Sequence, residues 1–211
     1  PPANGDGYLY DNSSGTWATV RGAAASNNAA DLTEILVTTQ HYPTYYAIGR
    51  SFVPFLTGTT IPASATILSA TLSIWVVGYS TVGWGVPFNS VCLESSTQAD
   101  PTALNATDYD LIALNSPTEL ITRVAFSALN VGEYNDFALN AAGLAAIVKG
   151  TGGYTKFAIR ASGDVDNSTP PIATSYDQIS CSSTNTDAQK PKLTITYTLP
   201  VGDDIARYCH H

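Results

Sequence analysis

Apolar and hydroxyl side chains alternate along much of the sequence Thr66-Ile67-Leu68-Ser69-Ala70-Thr71-Leu72-Ser73-Ile74-Trp75-Val76. Successive side chains of a β-strand point to opposite faces, so this alternation is typical of a strand with one buried face. We expect Leu72, Ile74 and Val76 to lie in the core.

Further strand patterns lie on both sides of this stretch, where β-branched and aromatic residues recur between clusters of Gly, Pro, Asn, Asp and Ser. They predict strands at 7–10, 17–21, 33–39, 45–55, 90–94, 119–126, 134–139, 154–161 and 192–199. One helix is predicted at 141–149, after the capping residue Asn140. A long polar loop is predicted at 162–190. The fold class is therefore all-β, a jelly-roll-like antiparallel β-sandwich with one short helix.

Neither an internal repeat nor a linker divides the 211 residues. The sequence predicts a single β-sandwich domain at 1–199 and a C-terminal tail at 200–211. Cys209, His210 and His211 in this tail resemble a metal tripod, but a chain end lacks the neighbours that orient ligands, so a disordered tail is the prediction.

The charge inventory excludes several function classes. The chain has nine basic and seventeen acidic residues, which gives a net charge of −8. No Lys/Arg cluster is present in the sequence that could bind a run of phosphates, so nucleic acid is not an expected partner. No apolar run approaches the ~20 residues that cross a bilayer. Charged residues are only 12% of the chain, so hydroxyls, amides, Tyr and Ala must cover much of the surface.

Several segments together resemble DNRLRE-type β-sandwich modules. The motif runs from Gly49 to Phe55 and from Ile61 to Leu72, and the segments 134–140, 155–162 and 190–197 reinforce it. The resemblance implies a jelly-roll-like sandwich related in shape to carbohydrate-binding modules. Such modules are found on secreted and cell-surface proteins and in phage structural proteins, and the resemblance implies no catalytic activity.

Catalytic groups are scarce in the sequence. His41 is the one histidine outside the tail, and no G-x-S-x-G, H-E-x-x-H or P-loop spacing occurs. The chain is therefore predicted not to be an enzyme, and no catalytic residue is assigned. Arg50 and Arg160 lie inside predicted strands, where each is expected to pair with a carboxylate or to bind backbone carbonyls.

A calcium site is one interpretation of the loop after the strand at 154–161. Asp164, Asp166 and Asn167 place oxygen atoms in alternation, which suits a hard cation such as calcium. The loop lacks the Gly and the distant Glu of an EF-hand, and such clusters also form Asx-turns. No other cofactor is expected.

Exposed aromatic rings are the candidates for sugar or partner contact, since a flat ring covers the apolar face of a sugar. The candidates outside clear core positions are Trp17, Tyr42, Tyr45, Tyr79 and Trp84. The alternative interpretation is that Trp17 fills one end of the core and that Trp84 anchors its own loop.

The leading functional hypothesis is a non-enzymatic structural or adhesion protein of a virion surface, such as a phage capsid decoration, head-fibre or tail subunit. A single module without a secretion signal and with a largely uncharged surface favours it, and copies of itself or other virion proteins would be the partners. A secreted or cell-surface module that binds polysaccharide is the alternative. A subunit of an extracellular filament is a further alternative, in which the tail adds a strand to the next copy.

Overall fold

The computed structural model describes residues 5–13, 15–30, 32–82, 90–150, 152–170, 175–182 and 188–200. The strands in these ranges are β1 (Gly7–Asp11), β2 (Glu34–Tyr42), β3 (Tyr45–Phe55), β4 (Thr66–Val82), β5 (Ser90–Ser95), β6 (Val124–Ala125), β7 (Glu133–Ala138), β8 (Thr155–Ala161), β9 (Ser175–Ser182) and β10 (Lys192–Thr198). Three short helices accompany them, α1 (Trp17–Arg21), α2 (Ala141–Ala145) and α3 (Ser162–Val165). Two 3-10 turns lie at Ala106–Asp110 and Phe126–Ala128. The predicted all-β fold is confirmed.

The strands form one antiparallel, curled sheet that gives a sandwich-like fold. Its order is β10-β4-β9-β2-β3-β8-β5-β6, with β1 on β3 and β7 on β4. The two longest strands change partners along their length. Residues 45–49 of β3 pair with β2 and residues 51–55 pair with β8. Residues 66–73 of β4 pair with β10 and, after a register shift between Val76 and Gly78, the last residues pair with β9.

The main core contains the residues that the alternation of β4 predicts. Leu72, Ile74 and Val76 are at most 2% exposed, which confirms the prediction. They belong to one apolar cluster with Val37 of β2 and Ile179 of β9. The inward positions of β3, β5 and β8 join the same cluster, so it holds the sandwich together.

A second apolar cluster lies on the other side of β3. Ile48 and Phe52 of β3 pack there with Trp17 and Val20 of α1 and with Tyr109 of a 3-10 turn. Since Val53 and Phe55 of β3 belong to the main core, this part of the sheet is buried on both faces. Any polar side chain between Ile48 and Phe52 must therefore find its partners inside the protein.

Several local predictions are wrong. The predicted strand at 17–21 is helix α1, because Thr16 caps it through an Oγ1 that accepts a hydrogen bond from the Thr19 amide, and Gly22 ends it. The predicted single helix at 141–149 ends at Ala145, and α1 and α3 are additional helices. The predicted strand at 119–126 shortens to the two residues of β6.

The predicted loop at 162–190 contains two regular elements, α3 and β9. Strand β9 is rich in Ser and has few apolar residues, so its sequence carries little strand signal. It forms because β2 and β4 pair with its two edges and because Ile179 and Cys181 alternate into the core.

Candidate functional site

A cluster of buried charges lies on the second face of β3 and β8. Arg50 of β3 and Arg160 of β8 both donate from Nε to Oδ2 of Asp164 at 2.8 Å, and Nη2 of Arg50 donates to Oδ1 at 2.9 Å. Arg160 also donates from Nη1 to Oε1 of Glu94 at 2.7 Å. The Nε of Arg21 lies 3.4 Å from Asp164 Oδ1. All five side chains are at most 5% exposed, so water does not screen these pairs.

The two carboxylates respond differently to this environment. Burial alone would raise the pKa of Asp164, but the guanidinium groups of Arg160 and Arg50 outweigh burial and hold its pKa well below the usual range. Burial also raises the pKa of Glu94, and Arg160 together with the backbone amide of Ala113 offsets only part of that effect. Asp164 is therefore the anion around which the cluster is built.

Most of the remaining donors of the cluster bind backbone carbonyls. Arg50 donates from Nη1 to the carbonyl of Tyr109 at 3.0 Å and from Nη2 to that of Arg21 at 2.8 Å, and its guanidinium lies 4.1 Å from the centre of the Tyr109 ring. Arg21 donates to the carbonyl of Asp164 at 2.7 Å. The cluster thus ties α1, α3 and a 3-10 turn to the sheet, and the prediction that Arg50 and Arg160 pair with a carboxylate is confirmed.

The three predicted calcium ligands have separate partners. Asp164 accepts hydrogen bonds from arginines, Asp166 accepts two from Arg123 at 2.6 and 2.7 Å, and the Asn167 side-chain oxygen accepts one from Trp17 Nε1 at 3.0 Å. Among the residues that the structure describes, no group of three or more His, Cys, Asp or Glu side chains converges. The calcium site stays a prediction, and these contacts give it no support.

The aromatic residues predicted to contact sugar lie in different environments. Trp17 is only 5% exposed and belongs to the second apolar cluster. Tyr79 is 40% exposed on β4, and Trp84 lies outside the described residues. Tyr42 and Tyr45 are brought together at the end of the β2–β3 hairpin, where their rings stack with centres 4.6 Å apart. These two mark a candidate surface.

That surface extends over several strands, as the strand registers show. Tyr10 and Thr38 both lie opposite Gly49, and Thr38 also lies opposite Gln178 of β9. Tyr42 lies opposite Tyr45. Directly opposed residues of antiparallel strands share a face, so these positions point to the same side of the sheet. We call this surface the tyrosine–glutamine face and define it by Tyr8, Tyr10, Gln40, Tyr42, Tyr45 and Gln178.

Hydrogen bonds connect the face across three strands. The Tyr10 hydroxyl donates to Oε1 of Gln40 at 3.0 Å, and Nε2 of Gln40 donates to Oε1 of Gln178 at 3.3 Å. Tyr10 reaches Gln40 across β3 because Ala47 and Gly49 have no long side chain between them. Burial, with a smaller effect from neighbouring tyrosines, raises the pKa of Tyr10, so its hydroxyl stays a donor at neutral pH.

This side of the described sheet carries one charged residue, Glu34 at the start of β2. The other register positions on it, across β1, β3, β2, β9 and β4, include Tyr8, Tyr10, Leu36, Thr38, Gln40, Tyr42, Tyr45, Ala47, Gly49, Ser51, Gln178, Ser180, Ser182, Gly78, Ser80 and Val82, none of which is charged. Sequence reasoning found Tyr42 and Tyr45 and missed Tyr8, Tyr10 and the two glutamines. The spacing of Tyr8 and Tyr10 was the available signal, since it puts both on one face of a strand.

An apolar groove of about 570 Å³ lies beside β10, at the end of β3 that is remote from Tyr45. Leu193, Ile195 and Tyr197 of β10 form one wall. Phe55 at the end of β3 and Leu56, which is 40% exposed, contribute to the lining. The sandwich is therefore open along the side where β10 ends the sheet.

Other reactive groups are engaged or buried. His41 stacks on Tyr46 with ring centres 4.2 Å apart, and its Nδ1 lies 3.2 Å from the carbonyl oxygen of Pro170. Cys92 and Cys181 are free and buried, and burial raises the pKa of the Cys92 thiol to about 12. None of the described helices has the length and apolar character to cross a membrane.

No protein-family model matches this chain, and no curated protein sequence is significantly similar to it. The resemblance to DNRLRE-type modules therefore stays a prediction from the sequence.

Proposed function

We propose that this chain is a non-enzymatic structural subunit of a virion surface and that it joins its neighbours through the tyrosine–glutamine face. The observation that carries this proposal is a row of register positions that spans five strands and has one charge, Glu34, at the start of β2. Tyrosine is enriched at protein interfaces and charged residues are depleted from interface cores, because burying a charge costs much more than burying a ring.

The buried charge cluster supports a structural role in a second way. It ties two helices and a turn to the sheet through contacts that water does not reach. A subunit that is already rigid loses little conformational entropy when neighbouring copies assemble on it. Rigidity of this kind favours assembly over adaptable recognition.

Binding of a neutral polysaccharide is the second candidate function, and the same face favours it. Tyrosine rings stack on sugar faces, while the amides of Gln40 and Gln178 bond sugar hydroxyls. The face would then act at an extracellular surface. Assembly ranks first because Gln40, at 5% exposure, already exchanges hydrogen bonds with its neighbours and has few positions left for a ligand.

Density-gradient fractionation of native source material tests the first function, with this chain followed by mass spectrometry. Banding with intact particles supports it. Recovery only as a soluble protein contradicts it and favours polysaccharide binding. In the filament alternative the protein bands with filaments, and removal of residues 201–211, which lie outside the described residues, abolishes polymerisation.

Substitutions on the tyrosine–glutamine face test assembly and polysaccharide binding separately. Gln178→Arg puts a charge into it and should lower occupancy on assembled particles, whereas Ser127→Arg puts the same charge on an exposed turn elsewhere and should not. Tyr45→Ala should lower retention on neutral polysaccharide gels only if the second function is correct. Equal occupancy of the Gln178→Arg and Ser127→Arg variants would contradict assembly through this face.

A further inference from the structure

Strand β10 ends the described sheet with one edge unused. Its seven residues pair with β4, and no other described strand pairs with it. An edge strand presents a row of backbone N–H and C=O groups that another strand can bind. We infer that this edge pairs with β10 of a second copy in antiparallel orientation, about a two-fold axis that passes next to Ile195.

The usual protections of an edge strand are absent from β10. The strand contains no proline, and its register shift places the extra residue on β4 and not on β10. Its one charged residue is Lys192, and lysines on edges commonly block pairing. Here the Lys192 ammonium lies 3.7 Å from the centre of the Tyr134 ring on β7. The side chain is therefore directed away from the free edge of β10 and over the neighbouring strands.

The sequence of β10 complements itself in this arrangement. With Ile195 opposite Ile195 of the second copy, Leu193 lies opposite Tyr197 and Thr194 lies opposite Thr196. Apolar side chains then meet on the inner side and hydroxyl side chains on the outer side, both of which stabilise antiparallel pairs. Lys192 falls opposite Thr198 of the second copy, so no like charges meet.

The groove beside β10 supports the same partner. Leu193, Ile195 and Tyr197 are only partly buried, although they pack against the main core. A second β10 would extend the wall that these residues form, and its own apolar side chains would cover the groove and the exposed Leu56. Two copies would in this way close the open sides of both sandwiches.

This inference rests on the proposed function, because it supplies a contact between copies, but its test is separate from particle banding. The full chain is measured by analytical ultracentrifugation, alone and as the variants Thr194→Lys/Thr196→Lys and Thr194→Glu/Thr196→Glu. In the inferred register each variant puts like charges opposite each other twice, so the dimer Kd should rise about tenfold for each. An equimolar mixture of the two variants should restore the dimer, because every Lys then faces a Glu.

Ser69→Lys is the matched control. Ser69 of β4 is exposed and lies opposite Thr196 of β10. It is one strand away from the free edge, so the added charge should leave the dimer Kd unchanged. A monomeric unmodified protein would overturn the inference, as would dimers that both edge variants keep or a mixture that fails to restore them. Thermal unfolding of each variant shows that the sandwich remains folded. If the tyrosine–glutamine face alone holds the protein on particles, the edge variants should still band with particles even when the β10 dimer is lost.

Discussion

Asp164→Asn removes the central anion of the buried charge cluster while keeping the size of the side chain. Arg21 and Arg50 would then lose their carboxylate partner, and Arg160 would keep only Glu94. Breaking a buried ion pair by removing one partner costs about 3–5 kcal/mol, since the remaining charge stays buried without compensation. The total stability of a domain is about 5–15 kcal/mol, so this variant should lose a large part of it.

Asp166→Asn is the matched control, because it makes the same chemical change two residues away. Asp166 pairs with Arg123 at the surface, where the side chains are 44% and 33% exposed, and such pairs contribute about 0–1 kcal/mol. With a urea dependence of about 2–3 kcal/mol per molar, the midpoint of the Asp164 variant should fall by about 1–2.5 M, and that of the control should stay within about 0.5 M of the unmodified protein.

Urea unfolding followed by tryptophan fluorescence measures both midpoints. Trp17 belongs to the apolar cluster beside the charges, so its emission reports on the region that the substitution disturbs. Equal shifts for the two variants would refute the idea that burial determines the cost. An Asp164 variant as stable as the unmodified protein would show that the arginines relax to other partners.

Two further predictions concern pH and metal. Burial raises the pKa of Asp177 to about 7, so the folded state binds a proton that the unfolded state releases near pH 4. The contribution of Asp177 to the free energy of unfolding should therefore fall by up to about 4 kcal/mol as the pH rises from 4 to 8, and Asp177→Asn should remove that contribution in urea titrations at several pH values. Asp164, with its pKa held low, should not contribute to the change above about pH 5, where it is ionised in both the folded and the unfolded state. For the predicted calcium site, the contacts of Asp164 and Asp166 lead us to expect the same melting temperature in calcium and in EDTA, and a calcium-dependent increase would restore the site as a hypothesis.

Alternation along single strands predicts much of this fold. Leu72, Ile74 and Val76 could be placed in the core because each strand residue faces away from the next. The position of Ile179 could not be predicted in the same way, since β9 depends on two neighbouring strands that are distant in sequence. Helix α1 was missed because its Thr16 cap and Gly22 end resemble the residues of a turn.

The candidate site was predictable only where its residues are close in sequence. Tyr42 and Tyr45 lie on one hairpin, and their proximity follows from it. Tyr10 and Gln178 join them through pairings across more than 30 residues, which no local pattern encodes. Asp164 was interpreted as a metal ligand because its loop is acidic, whereas the arginines that bind it come from other elements.

The exchange of partners along β4 has a mechanical consequence. β10 and β9 bind different parts of the same edge of β4, so a pull transmitted through β10 reaches β9 along one continuous backbone. Covalent bonds carry that load through the sandwich, and the hydrogen bonds at each end resist it over several residues at once. The fold would then transmit tension without first separating its layers.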